Sequence, residues 1–338
     1  MAAKAKRQWP FWEFTLIVAI LGAGAWSSTL SPYYLSVDQL FGSTRAFIIP
    51  GLLALGLAVV VSLGEIDISL ASIIAVGTVT LSKFSAAGVP LGVSAPIVVA
   101  IGALCGAFNG LLVAKWRLPS LAVTLGTMGA YRGLAFIIGS EVGYTDFDDS
   151  YLWLGSEYIF HGIVPVSLIV FALMAILVWF LMHRTVYGRR CFSIGLNTDA
   201  SWFAGVDVTE TKIRAYALAG ALAGLAAIVW IGQYGSARGD NADGSILFVV
   251  TAVVLGGIDI NGGRGTISGV VLALFLLGTI RNGMGLANIG GPTQTVVLGS
   301  LLVAGVLRPA AAAALARLSN PARLKAAGPQ GVESSGQE

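Results

Sequence analysis

The sequence predicts an all-α protein, a polytopic transmembrane helical bundle with about 10 spans and both termini in the cytoplasm. Hydrophobic residues make up 56% of the 338 positions, charged residues make up 11%, and the mean hydropathy is +0.83. A soluble domain has about a quarter of its residues charged, so this chain lacks the polar surface that water requires. The 44 glycines fit closely packed helices in a bilayer. A transmembrane barrel would instead show short alternating segments.

The spans are predicted from apolar runs of roughly 20 residues. The third, eighth and ninth runs are the weakest, because they are short, Gly-rich or bounded by tight turns. The runs cover residues 12–30, 46–64, 66–84, 94–114, 119–139, 163–182, 213–232, 246–260, 265–281 and 292–308. We therefore divide the chain into a cytoplasmic N-terminal segment (1–11), a transmembrane domain (12–308) that includes a large cytoplasmic loop (183–212), and a cytoplasmic tail (309–338) predicted to be disordered.

The orientation is predicted from the basic residues. With the N-terminus inside, most of the 20 Lys and Arg residues fall in segments on the cytoplasmic side. The opposite side receives the acidic loop 140–157. This asymmetry is the pattern of the positive-inside rule.

Two similar stretches place carboxylates among apolar residues. The first, "VVVSLGEIDISLAS", carries Glu65, Asp67 and Ser69, and the second, "VVLGGIDINGGRG", carries Asp259. Intramembrane carboxylates are costly and often functional. However, both aspartates fall at predicted span ends, where an anion caps the helix that follows. Capping is the preferred interpretation, and a direct part in gating is the alternative. The six-span offset indicates an internal duplication.

Several chemistries are excluded. The two histidines lie at loop edges, so no catalytic constellation and no metal site can be assembled from them. The chain has no Gly-Lys dipeptide and therefore no Walker A loop. Basic residues are spread along one membrane face, which does not favour nucleic-acid binding. We expect no enzymatic activity and no cofactor in this chain.

The cytoplasmic loop contains a predicted short helix in "NTDASWFAGVDV". Asn197 or Thr198 caps it, and Gly205 ends it. Exposed aromatic residues on such a helix fit a groove on a soluble subunit. A helix lying on the membrane interface is the alternative.

The same segment carries a family resemblance. "GRRCFSIGLNTDASWFAGVDVTETK" resembles the coupling segment of permease subunits of bacterial ABC sugar importers, of the ribose, xylose, rhamnose and autoinducer-2 type. So do "NGLLVAKWRLPSLAVTLGTMGAYRGLAF" and "TAVVLGGIDINGGRGTISGVVLALFLLGTIRNGM", and "GEIDISLAS" is similar to the family's Gly-Ile-Asp-Leu-Ser motif, with Glu65 where Gly is more usual.

The resemblance implies an inner-membrane permease with three partners: a separate ATPase that binds the ATP, a periplasmic solute-binding protein, and a second permease copy or a sister permease. It also implies that residues of the coupling segment dock on the ATPase. These are Gly195, Asn197, Asp199, Ala200 and Gly205.

A path for a neutral, hydroxyl-rich sugar needs dispersed hydrogen-bonding groups. Candidates are Asn109, Ser120, Thr124, Thr127 and Arg132, which serve equally well in interhelical packing. The acidic loop and the Arg238–Asp243 loop are candidates for meeting the binding protein, with solvated surface as the alternative. "YGSARGDNADG" (234–244) and "YTDFDD" (144–149) look closer to the rhamnose and autoinducer-2 branch than to the ribose branch. The resemblance therefore implies import of a sugar or sugar-like solute of that type. The alternative classes are a self-sufficient secondary transporter or channel and a membrane scaffold.

Overall fold

The computed structural model describes residues 9–139 and 142–318 and is a helical bundle, as predicted. Its helices are α1 (Trp9–Leu30), α2 (Val37–Ser43), α3 (Arg45–Ser62), α4 (Leu70–Ala86), α5 (Leu91–Ala114), α6 (Ser120–Gly139), α7 (Asp149–Ser156), α8 (Val166–Arg184), α9 (Val186–Leu196), α10 (Thr198–Phe203), α11 (Val208–Tyr234), α12 (Ser245–Leu255), α13 (Ile267–Leu286) and α14 (Gly291–Leu318). Strands β1 (Tyr158–Ile159) and β2 (Val164–Pro165) pair antiparallel. Of the tail predicted to be disordered, residues 309–338, the first ten belong to helix α14, and residues 319–338 lie outside the described part of the chain.

Ten apolar helices coincide with the ten predicted runs. Within the described residues, 7 helical segments are long and apolar enough to cross a membrane, and α4, α12 and the start of α14 are shorter apolar helices. The weak signals of the third and eighth runs correspond to the short α4 and α12. The ninth run corresponds to α13, a Gly-rich helix of 20 residues that is longer than the run itself. Its glycines support close packing, with Gly278 against Phe47 and Gly283 against Trp26. Ten crossings and two cytoplasmic termini stay predictions.

Helices α3 and α11 form the centre of the bundle, since most of their residues are buried. The most extensive helix contact joins α11 to α5. There Gly102 and Gly106 of α5 meet Gly220 and Gly224 of α11 with their backbones in contact. Small residues four positions apart allow this close approach. The resulting van der Waals packing holds the two helices together, because lipid provides no hydrophobic driving force between helices.

The connections divide between two ends of the bundle. One end, called here the α9–α10 end, gathers these two short helices with the α3–α4 and α12–α13 connections. The other, called the hairpin end, holds α2, α7, the β1–β2 hairpin and the α11–α12 loop, where Tyr144 bridges Ala237. The candidate coupling site lies at the first end.

Candidate coupling site and the two glycine turns

The α9–α10 elbow presents a short capped helix, as the sequence predicts. Asn197 has extended backbone angles, and its side-chain oxygen accepts a hydrogen bond from the Ala200 N–H at 2.9 Å. Gly205 follows the helix with a φ of +81°. Trp202 and Phe203 are 64% and 81% exposed, and their rings meet edge to face with centroids 5.0 Å apart. The elbow therefore offers an aromatic surface that the described part of the chain leaves uncovered.

Helix α9 attaches this elbow to the bundle. Its buried face consists of Gly188, Cys191 and Ile194. Burial raises the pKa of the Cys191 thiol to about 12, so the thiol stays protonated at neutral pH. Since the thiolate is the reactive form, Cys191 is a packing residue.

Gly195 near the end of α9 differs from the other predicted docking residues. Asn197, Asp199 and Ala200 are exposed, whereas Gly195 lies where the two turns that follow α3 and α12 meet, against Ser62 and Gly263. The first turn comprises residues 63–69, and the second comprises residues 256–266. Gly195 thus faces the bundle rather than a docking partner.

The two turns begin with the same backbone motif. Gly64 has a φ of +78°, its N–H bonds to Val61 O, and the next N–H bonds to Val60 O. Gly257 has a φ of +94° and the equivalent bonds to Val254 O and, through the next residue, to Val253 O. This is the Schellman ending of a helix, which favours glycine at the left-handed position. The similarity of the two stretches in sequence is therefore also a similarity in structure.

The two aspartates close their turns in the same way. Asp67 Oδ1 accepts from the Ser69 N–H at 2.9 Å and from the Ser69 hydroxyl at 2.7 Å. Asp259 Oδ1 accepts from the Asn261 N–H at 3.0 Å and from its side-chain amide at 3.3 Å. Asp67 is fully buried, and Asp259 is partly exposed.

The prediction that each aspartate caps the following helix needs a correction. Asp67 does bond to the residue that precedes α4. For Asp259 the prediction is wrong, since α13 begins at Ile267 and Thr266 caps it by accepting from the Gly269 N–H at 3.0 Å. The inserted "NGGRG" places the helix start too far from the carboxylate.

Glu65 has no counterpart in the second turn, where Ile258 directly follows the left-handed glycine. Its carboxylate forms a salt bridge with the Lys212 ammonium group at the start of α11, and both side chains are largely buried. The departure from the family motif thus supplies an ion pair between the first turn and the segment that leaves α10.

Three of the five predicted path residues bind the first turn. Asn109 on α5 donates its amide to the Ser69 hydroxyl at 2.8 Å. Ser120 on α6 accepts from the Ile66 N–H at 3.3 Å, and the Thr124 hydroxyl lies 3.3 Å from Ile66 O. The interhelical alternative therefore accounts for their hydrogen bonds, and their part in a path stays a prediction.

The other two predicted path residues lie further along α6. Thr127 is buried, and its hydroxyl bonds within α6. Arg132 donates to Gly239 O at 2.9 Å and to Asn241 O at 2.8 Å, and its guanidinium lies 3.9 Å from the Asp243 carboxylate. A cleft of about 270 Å³ opens here. It is lined by Met128, Gly129, Arg132, Phe136, Asp240 and Asp243.

Sequence reasoning missed helix α9 and the tyrosines of the buried network. Tyr131 donates to Cys105 O at 2.9 Å and lies 3.2 Å from Asn109 Oδ1. Tyr216 reaches toward Ile66 O at 3.5 Å. A tyrosine in an apolar helix indicates a hydroxyl that seeks a partner, but the partner is not readable from the sequence. For α9, Thr185 is a usable cap signal, since it accepts from Gly188 N.

An apolar bundle with a buried polar interior is the architecture of a multi-pass membrane protein. A family model described as "Branched-chain amino acid transport system / permease component" matches residues 39–306. The chain belongs to this family and is a protein of the bacterial inner membrane. The resemblance to permeases of bacterial ABC sugar importers is confirmed.

Curated relatives cover nearly the whole chain. The autoinducer 2 import system permease protein LsrD of Photorhabdus temperata is 33% identical over 300 residues, which cover 88% of this chain and 90% of that protein. The LsrD proteins of Klebsiella pneumoniae and Yersinia pseudotuberculosis are 33% and 34% identical, over 88% and 86% of this chain and 90% and 89% of theirs. No solved structure matches the chain significantly.

Proposed function

We propose that this chain is the transmembrane permease subunit of an ABC importer for a sugar or sugar-like solute. The observation that carries this proposal is the α9–α10 elbow, in which exposed Trp202 and Phe203 stand on α10 while Gly195 of the preceding helix α9 packs against Ser62 and Gly263 of the bundle. A separate ATPase binds ATP and docks on this elbow, by the helix-in-groove mode. The chain itself supplies the path for the solute and the elbow through which movement of the ATPase acts on the spans.

The solute belongs to the class of small hydroxylated molecules that includes autoinducer-2. Support comes from the relatives, which are named as autoinducer 2 import permeases. A periplasmic binding protein delivers the solute to the hairpin end. An acidic cleft of about 490 Å³ lies there, lined by Ser85, Ala86, Tyr144, Asp146, Phe147, Asp148 and Asp149. This cleft is a docking candidate for a basic surface of that protein.

The path runs along the outward face of α6, between this chain and a second permease. Leu125 on this face is exposed, and Gly126 and Gly129 have open space around them. Arg132 lies at the outer part of the same helix beside the 270 Å³ cleft. Charged residues within membranes face protein interiors or water-filled cavities. Arg132 bonds to the α11–α12 loop at the edge of this cleft, so the open face of α6 at Leu125, Gly126 and Gly129 is what supports the path.

A self-sufficient ion-coupled transporter is the second candidate. The observation that favours it is Asp67, a fully buried carboxylate with one oxygen, Oδ2, that has no hydrogen-bond partner among the described residues. Such a group marks an ion or proton route in many membrane proteins. The turn geometry of Asp67 is the competing explanation, and the substitution described in the Discussion separates the two.

Co-purification tests the ABC assignment. The tagged chain is extracted in mild detergent from its native membranes, and partners are identified by mass spectrometry. We expect a stoichiometric ATPase that is lost in the variant Phe203→Asp, because a charge on the exposed ring position opposes docking into an apolar groove. Val142→Asp, at an 81% exposed position of the hairpin end, is the matched control and should retain the ATPase. A folded chain that repeatedly arrives alone would contradict the assignment.

A further inference from the structure

We propose that Gly195 is a positioning residue that joins α9 to both turns, so that movement of the elbow is passed through backbone contacts to α6. We call the contact of Gly64, Gly195, Gly262 and Gly263 the glycine joint. The inference rests on the proposed function, since it assigns the internal relay for the force that the ATPase would apply.

The joint is a direct contact of three backbone segments. The Gly263 N–H donates to Ser62 O at 2.9 Å, which ties the second turn to the end of α3. Gly195 lies on this hydrogen bond, and a Cβ atom there would overlap both Ser62 O and Gly263 N. A Cβ atom on Gly262 would overlap Gly64 N and lie 3.0 Å from the Gly195 Cα. The backbone of α9 at Gly195, that of residues 62–64 and that of residues 262–263 therefore each touch the other two.

Contact between backbones suits the transmission of small displacements. Side chains at an interface absorb a shift by changing rotamer, whereas glycine backbones have no rotamers to change. Close-packed interiors have low compressibility and transmit strain. A movement of α9 must therefore move both turns with it, or break the Gly263–Ser62 hydrogen bond.

The first turn leads onward to α5 and α6. Ile66 N–H bonds to Ser120 at the start of α6, and Ser69 receives the Asn109 amide from α5. The Glu65–Lys212 salt bridge adds a second attachment, from the same turn to the helix that follows the elbow. The elbow is thus connected to the first turn on both of its flanks, and the first turn is connected to the helix proposed to line the path.

The second turn has its own connections at the same end. Thr266 and Ser268 at the start of α13 donate to the Glu13 carboxylate of α1, at 3.2 and 2.6 Å. The His183 ring of α8 accepts from the Ile267 N–H at 3.2 Å. Displacement of the joint therefore reaches both halves of the duplicated sequence, which is what a rocking motion of the bundle requires.

The variant Gly195→Ala tests the joint. The φ of Gly195 is not in the left-handed region, so alanine suits its backbone and the substitution adds only the overlapping methyl group. Gly92→Ala at the start of α5 is the matched control, because nothing lies within 4 Å of its added methyl. Both variants should co-purify with the ATPase, because the aromatic surface of α10 is untouched.

The readout is a cysteine reporter at Leu125 on α6, placed in a chain whose Cys105 and Cys191 are replaced by alanine. Its labelling rate by a membrane-impermeant maleimide is measured in the purified complex with and without ATP. We expect the rate to depend on ATP in the reporter chain and in Gly92→Ala, and the dependence to disappear in Gly195→Ala. An ATP-dependent rate that persists in Gly195→Ala overturns the proposal.

A second measurement covers the case in which Gly195→Ala does not fold. Spin labels at the exposed positions Leu196 and Asn261 flank the joint from α9 and from the second turn. A joint that moves as one body predicts the same distance with and without ATP, and a changed distance overturns it. Absence of an ATPase from the purified wild-type chain would instead overturn the proposed function. If the ATPase is present but the labelling rate at position 125 does not depend on ATP, the proposed role of Gly195 is overturned while the proposed function stands.

Discussion

Asp67 and Asp259 hold the same kind of turn, one in a buried site and the other in a partly exposed one. Each carboxylate accepts hydrogen bonds from the residue two positions later, so the turn itself explains why an acidic residue is present. Asp67 is in addition enclosed by α5, α6 and α11, and its Oδ1 atom alone carries its hydrogen bonds within the described residues. At this scale Asp67 is a turn residue that holds its turn through one oxygen, Oδ1.

Asp67→Asn should therefore preserve the fold and transport. The asparagine oxygen keeps the two bonds to Ser69, and its amide occupies the place of Oδ2. Asp67→Ala removes both bonds from a buried site and should destabilise the protein by about 1–3 kcal/mol. Thermal unfolding of the purified variants, together with uptake by cells that express them, provides the measurement. A stable Asp67→Asn protein without transport would show that the negative charge is needed, in favour of the ion-coupled alternative.

At the scale of the element, the α5–α11 pair depends on glycines. A methyl group at Gly106 would overlap the Tyr216 carbonyl oxygen. Gly106→Ala should cost about 1–3 kcal/mol as an overpacked contact and lower the temperature at which the purified chain unfolds. Gly126→Ala on α6, with open space around it, should unfold at the wild-type temperature. Equal unfolding temperatures for the two variants would mean that the helices are further apart than described.

The salt bridge between Glu65 and Lys212 makes a reciprocal prediction. Glu65→Lys and Lys212→Glu each place two like charges together in a largely buried site, so each should destabilise the protein and reduce uptake. The double variant restores opposite charges. We expect it to recover stability with a coupling free energy of about 1–3 kcal/mol, measured as a double-mutant cycle of unfolding. If the losses of unfolding free energy in the two single variants simply add in the double variant, Glu65 and Lys212 do not stabilise each other.

Helices could be predicted from the sequence where neighbouring residues alone determine them. Apolar runs located the ten helices, and Asn197 followed by a short helical segment located α10. Helix α9 was missed because its one buried stripe is short and interrupted by arginines and glycines. The cap assigned to Asp259 was wrong because the inserted glycines lengthen the turn. Both errors arise where glycine leaves several backbone conformations open.

At the scale of the whole molecule, the site depends on pairs that are far apart in sequence. Lys212 meets Glu65 across 147 positions, and Asn109 meets Ser69 across 40. Neither partner carries a local signal for the other, because such contacts follow from how the helices pack. The coupling role of residues 195–205 stays a prediction of the sequence resemblance, and the inward position of Gly195 required the packed structure.

ATP hydrolysis by the tagged chain purified from its native membranes decides whether the chain works as part of an ABC importer. We expect hydrolysis to co-elute with the chain in a fixed ratio to a second polypeptide, and to fall together with that polypeptide in Phe203→Asp. Under the proposed function the ATP site lies on the second polypeptide, so hydrolysis and that polypeptide should be lost together. A folded chain that elutes without hydrolysis, and whose cells take up the solute with an ion gradient alone, would contradict the account.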